Sequence, residues 1–358
     1  MRWCGRYGLS VKEVDPAACD VCLREELLEG TLQADNGEAY PVVGGIPRIL
    51  DDLYLVLVEG ISSDWLNRHR GHLSNAPTEF ERLQLKTVKA FGEEWQYFSK
   101  TLKEYEQIAQ EYFDLLSPQD FSGTVLDAGC GMGRWAYQAA GRSQVLLAVD
   151  LSSAVEVARK TLEGTSNAHV IQADLHRLPF KRETFDLIYS LGVLHHLPDP
   201  ANGLRCLARH LKPHGSLLTY FYYALDNRPR HFHVILPGVT ALRLLVCRLP
   251  YRVGRWACFL IASMIYWPLI QCGNLLAALG FAKAARQVPL YEFYSGKSFH
   301  ILFNDSVDRF ATSVEFRFSR DQIRGMFSKA GLDEVVFSDT APFWKALGCR
   351  RGSRSRQP

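Results

Sequence analysis

The chain has 358 residues, of which 47% are hydrophobic and 22% charged, and its formal net charge at pH 7 is +3. This composition is that of a globular protein with a large core, and the length allows two or three domains. So small a net charge gives no support to nucleic-acid binding, and the nine cysteines lack the regular spacing of a disulfide-rich secreted protein.

Residues 1–50 predict a small, separate, β-rich unit. Cys19 and Cys22 have the spacing of a metal knuckle, but Cys4 is the only other cysteine nearby, and a structural zinc site needs four ligands. We therefore expect no bound metal, with Cys19 and Cys22 as the candidates if zinc does bind. The first residues lack the apolar run of a signal peptide, which favours a cytoplasmic location.

Residues 51–123 predict a helical connector, because apolar residues recur at helical spacing over 105–116. From residue 124 onward, short apolar segments alternate with helical ones. The predicted strands are residues 124–126, 146–150, 169–174, 185–190 and 215–220. This alternation predicts a parallel sheet with a ligand site at the carboxyl ends of its strands.

Acidic residues and glycines mark those strand ends. Three strands have an acid at their end. After the first strand, glycines follow at alternate positions, and glycine permits positive φ and the close approach of a ligand to the backbone. An acid at the end of the second strand can accept both hydroxyls of a ribose. The residues concerned are Asp127, Asp150, Asp174, Gly129, Gly131 and Gly133.

Together with Gln172-Ala173-Asp174, the segment 195–199 and Leu-Lys-Pro-His-Gly at 211–215, these motifs resemble class I S-adenosylmethionine-dependent methyltransferases. The resemblance is closest to the branch of ubiquinone/menaquinone and small-molecule methyltransferases. It implies an α/β fold with a Rossmann-like, seven-stranded, mostly parallel sheet. It also implies S-adenosylmethionine as cofactor and S-adenosylhomocysteine as product. A nicotinamide dehydrogenase would instead show G-x-G-x-x-G after its first strand.

The N-terminal unit resembles a zinc-ribbon-like domain that precedes or partners some methyltransferases. In that pattern a second cysteine pair is expected where this chain has Ala34 and Gly37. We therefore interpret the unit as a degenerate form of that domain.

The resemblance also implies site residues. Asp150 is expected to hold the ribose, Asp174 the adenine amine, and Trp95 to cover the cofactor. The full predicted cofactor-binding set is Trp95, Asp127, Gly129, Cys130, Gly131, Gly133, Asp150, Leu151, Asp174, Leu175 and Leu191.

An O- or N-nucleophile has to lose a proton during methylation, which requires a base. His195 and His196 follow the fourth strand, where the methyl group would lie. We predict His195 as the base and His196 as a residue that orients the loop or contacts the cofactor. Asp199 is predicted to cap a helix.

A long insertion, residues 224–311, follows the fifth strand. It has no acidic residue between Asn227 and Tyr291. Residues 256–282 are uncharged, and this run is longer than the roughly 20 residues needed to span a bilayer. Polar residues and Pro268 interrupt that run, which argues against a true transmembrane span. The basic residues of the acid-free stretch are Arg228, Arg230, Arg243, Arg248, Arg252, Arg255, Lys283 and Arg286.

Two interpretations of the insertion stay open. One is a helical lid over the substrate, and the other is a basic, aromatic-rich element that contacts an anionic membrane surface through 228–286 and admits a lipid-like acceptor. An anionic soluble acceptor would also explain the arginines. The second interpretation places the protein in the cytoplasm, peripheral to the inner face of a membrane.

After the insertion, Ser319 and Gln322 form a predicted capping box that opens a helix, and strands follow at 332–338 and 343–347. The predicted organisation thus has six parts. They are the degenerate zinc-ribbon-like unit 1–50, the connector 51–123, the cofactor-binding core 124–223, the insertion 224–311, the C-terminal core 312–349 and a basic disordered tail 350–358.

The predicted function is methyl transfer to a small-molecule, glycan or lipid-like acceptor. An RNA methyltransferase is the first alternative, and the small charge and the missing cysteines argue against a nucleic-acid partner. A non-catalytic scaffold that binds S-adenosylmethionine is the second, and the intact glycines and acids argue against it.

Overall fold

The computed structural model describes residues 27–55, 58–69, 78–225, 230–342 and 344–350. The candidate zinc residues Cys4, Cys19 and Cys22 lie outside these ranges, as do Arg228 and the tail beyond residue 350.

The described strands form one mixed sheet in the order β1-β2-β3-β6-β5-β4-β7-β8-β10-β9. Their bounds are β1 Gly30–Gln33, β2 Ala39–Val43, β3 Ile46–Ile49, β4 Thr124–Ala128, β5 Val145–Asp150, β6 Ala168–Ala173, β7 Phe185–Leu191, β8 Leu211–Tyr220, β9 Leu332–Phe337 and β10 Lys345–Arg350. From β6 to β9 the order is that of a Rossmann-like, seven-stranded, mostly parallel sheet. Only β10 runs antiparallel to its neighbours, β8 and β9. The predicted fold class is confirmed.

The N-terminal hairpin extends this sheet instead of standing apart from it. Strand β3 pairs in parallel with β6, with Arg48 opposite Gln172. The guanidinium of Arg48 is 1% exposed, donates to Oε1 of Gln172 at 2.9 Å, and lies 2.6 Å from Oε1 of Glu156. The described part of the predicted separate unit is therefore continuous with the core, because a buried cation and strand pairing fasten it there.

The described α-helices cover both faces of the sheet. They are α1 Asp52–Leu55, α2 Ser63–His69, α3 Glu79–Tyr97, α4 Glu104–Tyr112, α5 Arg134–Ala140, α6 Val155–Thr161, α7 Pro200–Ala208, α8 Arg230–Val246, α9 Tyr251–Ile261, α10 Trp267–Ala278, α11 Ala282–Ala285, α12 Tyr291–Tyr294, α13 Phe299–Ala311 and α14 Arg320–Lys329. Asp199 caps α7 through the amide of Asn202, as predicted. Ser319 and Gln322 form the predicted capping box of α14.

Helices α8 to α13 make up most of the insertion and share the hydrophobic core of the sheet. Cys258 and Ile261 of α9 belong to the same buried cluster as Val125 and Leu146 of the central strands. The insertion is therefore folded onto the core of the sheet.

A π-helical turn over Ala262–Tyr266 joins α9 and α10 into one continuous helix, residues 251–278. This helix has 28 residues and a mean hydropathy of 1.4 in its most apolar window, of which 33% is buried. By length and composition alone it could cross a membrane.

Candidate functional site

The loop between β4 and α5 contains Gly129 and Gly131, and we call it the glycine cradle. A side chain at either position would collide with a neighbouring residue. Gly129 and Gly131 have φ values of 87° and 53°. A Cβ on Gly129 would lie 2.4 Å from Cγ2 of Val193, and one on Gly131 would lie 3.0 Å from Nε1 of Trp95. Only glycine fits either position, and the indole of Trp95 closes over the loop.

The strand-end acids bind neighbouring backbone groups. Asp150 accepts a hydrogen bond from the amide of Gly131 at 2.9 Å, and from the amide and hydroxyl of Ser152 at 2.8 and 2.7 Å. In Asp174, Oδ1 accepts from the amide and ring Nδ1 of His176, both at 2.9 Å. Burial raises the pKa of Asp174, but the two hydrogen bonds from His176 outweigh it, so this pKa is lowered overall.

A cavity of about 680 Å³ runs from this loop to the helices of the insertion. Nine of the eleven predicted cofactor residues line it: Trp95, Gly129, Cys130, Gly131, Asp150, Leu151, Asp174, Leu175 and Leu191. The other two predicted residues, Asp127 and Gly133, do not line the cavity. Asp127 is 1% exposed, and burial raises its pKa to about 8.

Arg134 also lines the cavity, and the sequence reasoning missed it. Its guanidinium carbon lies 4.7 Å from the ring centre of Trp95 and 4.5 Å from that of Trp135. Nη1 is 3.5 Å from the amide oxygen of Asn304, and no carboxylate of the described residues lies within 4 Å of it. An available signal was a cation in the first turn of a helix, where the helix dipole disfavours it.

The two histidines occupy different environments. His195 is 0% exposed, does not line the cavity, and stacks on Tyr222 with 4.0 Å between ring centres. Burial lowers its pKa well below the ordinary value. His196 lines the cavity, and its Nδ1 donates to the carbonyl oxygen of Val314 at 2.7 Å.

The insertion adds polar groups beside His196. Oδ1 of Asp308, on α13, lies 3.6 Å from Nε2 of His196, and Oδ2 accepts from the hydroxyl of Tyr222 at 2.6 Å. On the same helix, Arg309 donates from Nη1 to the hydroxyl of Tyr266 at 3.2 Å. The polar part of the cavity wall around His196 is thus built jointly by the core and by α13.

The remaining wall on this side is largely apolar. Helix α8 contributes Leu236, Val239 and Leu242, and the helix 251–278 contributes Ile261, Ile265 and Leu269. The cavity therefore has a cofactor end, a polar junction at His196 and Asp308, and an apolar chamber beneath the insertion.

Comparison with known proteins places the central part of the chain in one family. The family described as "Methyltransferase domain" matches residues 126–219. A ubiquinone biosynthesis O-methyltransferase of Saccharophagus degradans is 27% identical over 45% of this chain and 65% of its own length. A trans-aconitate 2-methyltransferase of Azoarcus sp. is 32% identical over 42% of this chain and 60% of its own length.

The probable tRNA methyltransferase 9B of Bos taurus is 32% identical over 38% of this chain and 33% of its own length. Among solved structures, an S-adenosylmethionine-dependent methyltransferase from Mesorhizobium loti has 27% identity over 34% of this chain and 56% of its own, with a TM-score of 0.30. The chain spans a third to about two thirds of the length of these curated relatives, and their named acceptors differ in class.

Gly129, Gly131, Asp150 and Asp174 line one cavity, and a cavity bordered by a glycine loop and by strand-end carboxylates suits S-adenosylmethionine. The residues matched by the family, 126–219, include this glycine loop and both carboxylates. The chain therefore carries a class I methyltransferase domain, an enzyme domain whose cofactor is S-adenosylmethionine.

Proposed function

We propose that the protein transfers a methyl group from S-adenosylmethionine to an oxygen or nitrogen of a small-molecule acceptor, and that this acceptor is lipid-like. The observation that carries the proposal is the cavity itself, which joins the glycine cradle to an apolar chamber with His196 at the junction. An apolar chamber suits an acceptor with an extended hydrocarbon part better than it suits a free glycan.

At the cofactor end, Asp150 accepts from the ribose hydroxyls and Asp174 from the adenine amine. Leu151, Leu175 and Leu191 flank the cofactor, and Trp95 covers it. When bound, S-adenosylmethionine supplies a methyl group already activated by its sulfonium sulfur, and S-adenosylhomocysteine is left after transfer. Asp127 and Gly133 support the loop from behind, because neither reaches the cavity.

We assign the role of base to His196 and not to His195. A carbonyl oxygen can only accept, so the hydrogen bond to Val314 places the ring proton of His196 on Nδ1 and leaves the Nε2 lone pair free. Nε2 takes the proton of the acceptor as the nucleophile forms its bond to the methyl carbon. The Asp308 carboxylate at 3.6 Å then stabilises the imidazolium, and Tyr222 holds that carboxylate in place.

The same proposal gives the protein an anionic membrane surface as partner, contacted through residues 228–286, and a location at the inner, cytoplasmic face of a membrane. Support comes from the apolar chamber and from the absence of acidic residues between positions 227 and 291.

Transfer to tRNA is the second candidate, favoured by two relatives that are named as probable tRNA methyltransferases. The experiment is to incubate the full chain with S-adenosylmethionine labelled in its methyl group and, separately, with a lipid extract, total tRNA and a polar metabolite extract. We expect label in the lipid fraction. Label in tRNA would establish the second candidate, and cofactor binding without label in any fraction would indicate a non-catalytic scaffold.

A further inference from the structure

The exposed hydrophobic residues of the described chain are concentrated on the insertion. Of the twenty large exposed hydrophobic side chains, fourteen lie between positions 234 and 281. On the continuous helix 251–278 they recur every three or four residues from Val253 to Trp267, and Leu275 follows two turns later. They form one band, which we call the apolar stripe: Val253, Trp256, Leu260, Met264, Trp267 and Leu275. Trp256 is 65% exposed and Met264 is 73% exposed, so the stripe is an open surface.

Exposed cations stand at both ends of the stripe. Arg248 and Arg252 precede it, and Lys283 and Arg286 follow it. None of these four has an ion pair with a described residue. Two other basic residues of the insertion make contacts within the protein. Arg243 donates to the carbonyl of Thr312, and Arg255 stacks on Tyr97.

The opposite face of the helix is fixed to the protein. Cys258, Ala262 and Tyr266 are buried in the core. A Cβ on Gly273 would lie 2.2 Å from the ring of Tyr291, so α10 lies too close to α12 for any larger residue. A helix held this way along its length cannot leave the core to cross a bilayer, although its length and hydropathy would allow it.

We propose that the helix 251–278 lies flat on an anionic lipid bilayer, with the apolar stripe inserted at the interface and the four flanking cations on the lipid headgroups. Apolar residues with tryptophans on one face and cations at the rim are the features of an interfacial helix. Lipid phosphates fit this surface better than a second copy of this chain does, because the acid-free rim would repel an identical rim.

The apolar stripe lies beside the cavity, so docking on a bilayer would let a lipid-like acceptor enter the cavity directly. This inference rests on the proposed function. Ile235 on α8 and Ile265 on the helix 251–278 both line the cavity and are also exposed on the surface, Ile265 at 45%. They mark the place where the apolar chamber reaches the apolar surface. An amphiphilic acceptor therefore enters the cavity from the bilayer between α8 and this helix, with its polar end directed to His196.

The test uses the full chain with vesicles of equal parts phosphatidylcholine and phosphatidylglycerol, and with vesicles of phosphatidylcholine alone. We expect cosedimentation with the anionic vesicles that weakens as salt rises. Brominated phosphatidylcholine should quench tryptophan emission, and this quenching should be lost when Trp256 and Trp267 are replaced by phenylalanine.

Two pairs of variants separate the stripe from its rim. Trp256→Asp with Met264→Asp should reduce vesicle binding by at least about tenfold, because it places charges where the stripe enters the interface. Arg252→Gln with Lys283→Gln should reduce it by about fivefold for each cation removed. Tyr137→Asp, at an exposed aromatic on α5, is the matched control and should bind as the wild type does.

Binding of S-adenosylmethionine, measured by calorimetry on the same preparations, should be unchanged in all of these variants, since none of the residues lines the cavity. Loss of vesicle binding with intact cofactor binding therefore reports on docking alone. A wild-type protein that stays in the supernatant with anionic vesicles overturns the proposal. So does a dimer that the stripe variants dissociate while vesicle binding persists.

Discussion

Nδ1 of His196 lies 2.7 Å from the carbonyl oxygen of Val314, and this one hydrogen bond places the ring proton on Nδ1 and the lone pair on Nε2. The residue beside it, His195, lies outside the cavity wall. His196→Ala should lower turnover by roughly 10²–10⁴ while leaving the affinity for S-adenosylmethionine unchanged, since it removes the base alone. Single-turnover kinetics with the identified acceptor, with cofactor affinity measured in parallel, checks this.

His195→Ala is the matched variant. It should destabilise the protein, because it leaves a cavity beside Tyr222, while turnover per folded molecule falls less than about tenfold. The assignment is wrong if His195→Ala abolishes turnover in a folded protein and His196→Ala does not.

Asp308 should matter to turnover and not to cofactor binding. Asp308→Asn keeps the side chain's shape but removes the charge that stabilises the imidazolium, and a neighbouring opposite charge favours the charged form by about tenfold or more. Turnover should fall about ten- to a hundredfold. Asp321→Asn, at an exposed acid in the first turn of α14, should have no effect. Equal turnover in the two variants would remove Asp308 from the site.

Asp150 is expected to hold the ribose. Asp150→Ala should weaken the binding of S-adenosylmethionine by roughly ten- to a hundredfold, since a hydrogen bond to a charged group contributes about 1.5–3 kcal/mol. Titration calorimetry checks this, with Asp321→Ala as the control. Undiminished affinity would show that Asp150 only holds the loop through Gly131 and Ser152.

Arg134 is placed to bind the carboxylate of the cofactor's methionine part, because this half-buried residue lines the cavity and no described carboxylate pairs with it. The wild type should bind S-adenosylmethionine more tightly than its decarboxylated analogue, by about tenfold or more. Arg134→Gln should bind the two compounds almost equally. If the variant keeps the wild-type preference, another group binds the carboxylate.

The buried carboxyl of Asp127 should make stability depend on pH. Burial raises its folded-state pKa to about 8, whereas an unfolded aspartate titrates near about 4. The protonated form is therefore favoured in the folded protein, so its contribution is complete below about pH 4 and is lost as pH rises through about 8.

Asp127→Asn cannot lose that proton. Its free energy of unfolding should exceed that of the wild type by an amount that grows with pH, at up to about 1.4 kcal/mol per pH unit between about pH 5 and pH 8. Urea denaturation across that range measures it. A difference that stays constant with pH would mean that Asp127 is ionised in the folded state.

The sheet could be predicted from the sequence because each central strand is an apolar run that ends at an acid or at glycines. The consecutive residues Val125 and Leu126 point to opposite faces of the sheet and both are fully buried, and such runs are typical of parallel strands. The attachment of β3 to β6 could not be predicted, because four residues with a buried arginine carry no signal of their partner. The choice between His195 and His196 depends on the orientation of a single 3₁₀ turn, Leu194–His196, which residue type does not reveal.

The hairpin fastened by Arg48 determines where the catalytic domain can be cut. A fragment beginning at residue 51, the apparent start of the connector, would lack β3 and leave one edge of β6 without a hydrogen-bonding partner. Unpaired edges of this kind recruit strands from other molecules. It would also leave Gln172 without its bond from Arg48. Expression of the isolated domain should therefore start before β1, at or upstream of residue 27, and shorter fragments are expected to aggregate.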